Sequence, residues 1–102
     1  MHAKEVANEC IRETKTGKLS ARAKDVALVA ITCYSEQGTL SEYRDRIKTE
    51  FKRRNPGMSP VFLFFVLPLL ANLISHFIIK WISRRNAGEI QRLKMEAFDA
   101  LG

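Results

Sequence analysis

Apolar residues recur at helical spacing through most of the chain. Between residues 3 and 14 they fall at Ala3, Val6, Ala7, Cys10 and Ile11, one stripe on a helix whose other face carries Glu and Lys. Gly17 is the expected stop, because glycine accepts the left-handed conformation that ends helices. Ser20 is then placed to cap a second helix over about 21–35. Val26, Ala27, Leu28, Val29, Ala30, Ile31, Cys33 and Tyr34 make that helix apolar on nearly every side, so it is expected at the centre of the core, with Gly38 ending it. Thr39-Leu-Ser-Glu42 fits a capping box and opens a third helix that runs to about Arg54, where Asn55-Pro-Gly57 breaks it. Its apolar stripe is narrow: Leu40, Tyr43, Ile47 and Phe51.

The pattern then changes. Ser59-Pro60 is a strong helix start, a cap followed by proline at the first helical position. Residues 55–79 include no Asp, Glu, Lys or Arg, and in 61–79 every residue except Pro68, Asn72, Ser75 and His76 is apolar. Such a helix covers ~30 Å at 1.5 Å per residue, the thickness of a hydrocarbon core. Its Val, Leu, Ile and Phe residues favour insertion by about 4–8 kcal/mol in all. Trp81 stands at the far boundary as an interface anchor, and Lys80, Arg84 and Arg85 close the segment. After Asn86-Ala-Gly88, helical spacing resumes with Ile90, Leu93, Ala97, Phe98 and Leu101, a short amphipathic tail that needs a surface to be stable. Gly88 is a weak break, and the apolar helix could run through it as one rod.

The predicted fold class is therefore all-α: a small N-terminal helical unit of three short helices over 1–57, a single transmembrane helix over 58–83, and an amphipathic C-terminal helix over 84–102. The opening residues lack a hydrophobic run, so the internal segment is the expected membrane-directing element.

Charge sharpens this picture. The chain of 102 residues carries a formal net charge of +6. Residues 1–43 are balanced, whereas 44–54 hold Arg44, Arg46, Lys48, Lys52, Arg53 and Arg54 against Asp45 and Glu50, and 80–85 hold Lys80, Arg84 and Arg85. The excess bases bracket the apolar run. Arg44, Lys48, Lys52, Arg53, Arg54, Lys80, Arg84 and Arg85 are the expected contacts to anionic headgroups. Arg44, Lys48 and Lys52 line one edge of the narrow third-helix stripe, which suits a helix lying against a membrane with its long stems snorkelling. The alternative is a solvated face on a helix packed against the second. Bases stand on both sides of the span, so the positive-inside rule barely orients it; the N-terminus is expected inside.

Pro68, Asn72, Ser75, His76 and Ser83 fall within about 100° of arc on an ideal helix. Polar groups facing lipid are costly, so the stripe is expected to meet another helix, a partner's or a copy's. Two alternatives are the wall of an oligomeric pore and an axial His76 ligand to a haem or chlorin. One His with Trp81 nearby is too little to carry the last, and no cofactor or metal is expected. Pro68 frees the carbonyl four residues upstream and should kink the helix.

Catalytic signatures are missing: no Gly-rich phosphate loop, GxSxG, HExxH or Cys/His cluster occurs. Cys10 and Cys33 lie on apolar faces and read as small buried hydrophobes. A tri-helical DNA reader fits the helix lengths, yet residues 1–43 are balanced in charge and the bases of 44–54 stand beside the apolar span, where lipid explains them, so sequence-specific nucleic-acid binding is not expected. The expected function is non-enzymatic: a single-pass structural or accessory subunit of a larger assembly, in a bacterial membrane complex or a membrane-containing virion. The alternative resembles a phage holin, a short, basic, oligomeric pore-former.

Overall fold

A computed structural model describes residues 2–102, and among these the ordered elements are helical: α1 (Ala3–Thr14), α2 (Ala23–Cys33), α3 (Leu40–Arg54), α4 (Leu67–Ile82) and α5 (Ala87–Leu101). A 3-10 turn at Thr16–Lys18 links α1 to α2. A π-helical segment, Phe62–Val66, runs directly into α4, so Phe62–Ile82 is one apolar helix of 21 residues. The protein is all-α, as its hydrophobic periodicity predicts.

The helix ends show which local signals are obeyed. At α3 the capping box forms: the Glu42 N–H donates to Thr39 Oγ1 at 3.1 Å. The helix ends at Arg54, ahead of the Pro-Gly break. Asn86 caps α5 in the same way, its Oδ1 accepting from the Glu89 N–H at 2.8 Å. The apolar helix therefore stops at Ile82 instead of continuing through Gly88, which lies inside the first turn of α5. Two ends are made by other residues than predicted. α1 stops at Thr14, with Lys15 taking the left-handed conformation at φ 58°. Gly17 instead sits close to the helix, where a Cβ would meet Ile11 Cγ2 at 3.0 Å. α2 begins at Ala23, because Ser20 Oγ accepts from the Arg22 N–H before the helix starts.

Pro68 reshapes the apolar helix. Lacking an N–H, it removes one rung of the α-helical ladder and crowds the carbonyl four residues earlier. The chain answers with a wider turn just upstream, in which the Leu67 N–H reaches back five residues to Phe62 O.

Packing centres on α2, which touches all four other helices. Ala23 and residues 26–32 are buried, so the helix predicted to be the core centre occupies it. Around it α1 contributes Ala3, Val6, Ala7 and Cys10; α3 contributes Tyr43, Ile47 and Phe51; α5 contributes Ile90, Leu93 and Ala97. From α4 come Leu67, Leu70, Ala71, Ile74, Ser75, Ile78 and Ile82, a set at helical period. Residues of 1–57, 58–83 and 84–102 thus share one core. Polar ties reinforce it. Tyr43 Oη donates to the Ala30 carbonyl. Lys94 Nζ donates at 2.9 Å to the Tyr34 carbonyl, capping the C-terminal end of α2 with a positive charge. The Ala3 N–H donates to Glu96 Oε2 at 3.0 Å, with His2 Nδ1 3.1 Å from Glu96 Oε1, so the start of α1 is fastened to α5. The hydrogen bond from His2 holds the Glu96 carboxyl below its ordinary range. The radius of gyration, 12.4 Å, is close to the ~13 Å typical of a folded domain of this length.

Candidate functional site

The apolar helix has two faces. Inward, α4 packs on α1, α2 and α3. Outward, and chiefly in its first half, it leaves large apolar side chains uncovered: Val61 is 65% exposed, Phe64 and Phe65 69% each, Leu69 56% and Leu73 39%. A third of its most apolar stretch is buried. Among the described residues it is one helix long and apolar enough to cross a membrane, and it also serves as a wall of the core.

α3 runs antiparallel beside it, with the register fixed at two points. Arg44 Nη1 donates to Asn72 Oδ1 at 2.7 Å. Eight residues further along α3, Lys52 Nζ lies 5.9 Å from the centroid of the Phe64 ring, eight residues earlier on the apolar helix. Underneath, the Phe51 and Phe62 rings meet at 5.6 Å. Lys48, midway between Arg44 and Lys52, is level with Pro68 by this register. The three bases predicted to edge the α3 stripe therefore form a row along one margin of the outward apolar face. Lys48, half-buried, also reaches the exposed Asp45 at 3.3 Å, a surface pair of little energetic weight. The narrow stripe of the same helix, Tyr43, Ile47 and Phe51, is buried in the bundle.

The other predicted bases are placed differently. Arg53 and Arg54 both bond Glu50, each through Nε at 3.0 Å. The hydrogen bond from Arg53 lowers the Glu50 pKa. Arg54 also stands 5.6 Å from the Phe98 ring, turning toward α5. At the far end of the apolar helix, Lys80 and Arg84 are exposed, while Arg85 stacks its guanidinium 4.2 Å from the Trp81 ring.

The polar stripe runs obliquely from core to surface. Ser75 is fully buried and donates from Oγ to the Asn72 carbonyl at 2.9 Å. Pro68 and Asn72 are half-buried at the α3 seam, whereas His76 and Ser83 are exposed. Asn72 thus has its partner within the chain. The structure brings together Arg44, Lys48, Lys52, Pro68 and Asn72; His76 lies one turn beyond them, and Ser83 stands apart at the helix end.

Cys10 is buried, and desolvation pushes its thiol up to about 12. Burial also raises Cys33. Neither is disposed for nucleophilic chemistry.

The outward residues Val61, Phe64, Phe65, Leu69 and Leu73 are the uncovered apolar face that sequence periodicity did not single out. In a run that is apolar all round, nothing local says which side meets the core. Only Ala71 and Ser75, small enough for close helix approach, hint at it.

Fold and surface define a class: a one-core helical bundle that presents an apolar helix with a basic margin. No protein-family model matches the chain, and neither a curated protein nor a solved structure matches it.

Proposed function

We propose that this chain is a non-enzymatic membrane-attached subunit, structural or accessory to a larger assembly, with Phe62–Ile82 as its attachment element. One observation carries the proposal. The longest apolar helix keeps Val61, Phe64, Phe65, Leu69 and Leu73 outside its own core, and a row of bases stands beside them. Large aromatic groups next to long cationic stems match the boundary between acyl chains and anionic headgroups. The attachment takes one of two forms, the helix crossing the bilayer once with the N-terminal side interior, or lying in its surface.

Membrane fractionation of expressing cells tests the attachment. The protein is expected with the membranes after a low-salt wash, and its recovery in the soluble fraction would defeat the proposal. The pore-forming alternative makes a separate forecast: expression alone depolarises the host, and Asn72→Leu with His76→Leu abolishes the toxicity. With Ser75 in the core and Asn72 bonded to Arg44, the stripe offers a lumen little beyond His76 and Ser83, which favours the accessory role.

A further inference from the structure

We infer that the folded bundle docks on an anionic bilayer with its apolar helix parallel to the membrane plane, sinking Val61, Phe64, Phe65 and Leu69 between headgroups while Arg44, Lys48 and Lys52 take the phosphates. This rests on the membrane-attached reading above and specifies its geometry and lipid class.

The uncovered face runs from Val61 to Leu73, ~18 Å of helix, and its five side chains expose on the order of 500 Å². That lies near the upper end of what a soluble monomer leaves uncovered, and it is contiguous. Its occupant is identified by the margin. The cross-helix contacts Arg44–Asn72 and Lys52–Phe64 fix α3 in antiparallel register, so Arg44, Lys48 and Lys52 repeat every turn along the whole length of the apolar strip. A second copy of this chain would bring the same row of bases against itself or against apolar surface. A bilayer of anionic lipid supplies phosphates at the depth where those stems end and hydrocarbon where the phenyl rings end.

Keeping the bundle closed explains the helix's two-sidedness. Leu67, Leu70, Ile74 and Ile78 have no exposed surface, so they are already sheltered and need no lipid. Only the opposite side seeks a partner. In-plane docking covers it without breaking the core, the Arg44–Asn72 hydrogen bond or the Phe51–Phe62 contact.

The test uses the full chain with phosphatidylcholine vesicles, with or without phosphatidylglycerol. Trp81 is the single tryptophan. Replacing it by Phe and introducing Phe65→Trp places the fluorophore in the docking face. Emission is expected to shift blue with phosphatidylglycerol vesicles and to be quenched most by lipids brominated near the headgroup. Binding should weaken about tenfold or more in K48Q/K52Q and up to about a hundredfold when Arg44→Gln is added. Phe64→Ser with Phe65→Ser should abolish binding while leaving the far-UV circular dichroism unchanged. Salt should release the wild-type protein, because the attraction is screened. Quenching by bromines at the bilayer centre, with resistance to alkaline carbonate, would overturn the in-plane geometry and leave membrane attachment standing. Failure to float with either vesicle, with a dimer at sedimentation equilibrium that F64S/F65S dissociates, would overturn both and assign the face to a second copy.

Discussion

Ile74 and Leu69 lie five residues apart on the same helix, and the bundle gives them opposite fates: Ile74 is fully buried, Leu69 is 56% exposed. Truncating each to Ala removes three carbons. At Ile74 all three lose a sheltered environment, roughly 2.4 kcal/mol at ~0.8 kcal/mol per methylene, and the cavity left behind raises the loss to about 3–4 kcal/mol. At Leu69 fewer than half of the carbons' surface is covered, no closed cavity forms, and the loss is about 1 kcal/mol. Urea unfolding of the purified chain in detergent-free buffer, followed by circular dichroism at 222 nm, reads the difference. With a slope near 1–1.5 kcal/mol/M, Ile74→Ala lowers the midpoint by roughly 2–4 M and Leu69→Ala by no more than about 1 M. The slopes should agree, since neither change alters the surface exposed on unfolding. In a lipid-spanning helix both side chains would lie in hydrocarbon, and both truncations would cost the same few tenths of a kcal/mol in insertion. Equal midpoint shifts would therefore refute the packing of α4 as a core wall.

Thr39→Ala and Asn86→Ala each remove a cap that accepts from the third residue of its helix, and each should lower stability by about 1 kcal/mol in the same unfolding assay. Native Cys10, with its thiol pushed up to about 12 by burial, should resist iodoacetamide at neutral pH, and mass spectrometry should find it alkylated only after unfolding. The Glu96 carboxyl, lowered first by the hydrogen bond from His2, binds its proton less readily folded than unfolded. Its contribution is therefore complete above the ordinary carboxylate range and disappears as pH falls through the lowered value. Glu96→Gln should flatten that acid limb and speed hydrogen exchange at the first amides of α1; an unchanged acid limb would show that the His2–Glu96 contact is not formed in solution.

Legibility in the sequence followed the physics of each signal. α3 could be bounded from both ends because a capping box and a Pro-Gly break are local chemistry that tertiary packing did not override. The centrality of α2 could be read because apolar residues on every side of a short helix leave no other place for it. The start of α2 departs from the pattern for a local reason as well: Ser20 Oγ accepts from the Arg22 N–H in a turn, so its oxygen is occupied before the helix begins. α4 resisted reading. Fourteen large apolar residues in nineteen carry no phase, so periodicity cannot separate a lipid-facing side from a core-facing side. The polar residues were the remaining guide, and their arc cut across the true boundary: Ser75 lies inside because its hydroxyl is satisfied by the helix's own carbonyl at Asn72. The row Arg44, Lys48, Lys52 was legible as a row, but its position beside α4, instead of on a free amphipathic helix, depends on Tyr43, Ile47 and Phe51 being drawn into the bundle.

The energetics of crossing a bilayer also bear on how this helix attaches. Moving Phe62–Ile82 out of the bundle keeps its own apolar surface covered, because lipid replaces protein. What is lost is cover for the faces of α1, α2 and α3 on which Leu67, Leu70, Ile74, Ile78 and Ile82 pack. Partner surface equivalent to five large buried side chains, at roughly 1.5–3 kcal/mol each, amounts to about 7–15 kcal/mol. That matches or exceeds the about 4–8 kcal/mol that the apolar residues supply toward insertion. The Arg44–Asn72 hydrogen bond would break as well. A single chain therefore has no net drive to open, whereas surface docking covers the outward phenyl groups and leaves every internal contact in place. Spanning becomes favourable only if another surface replaces α4 against α2. An assembly partner able to do this would have to present an apolar helix that covers the same faces of α1, α2 and α3.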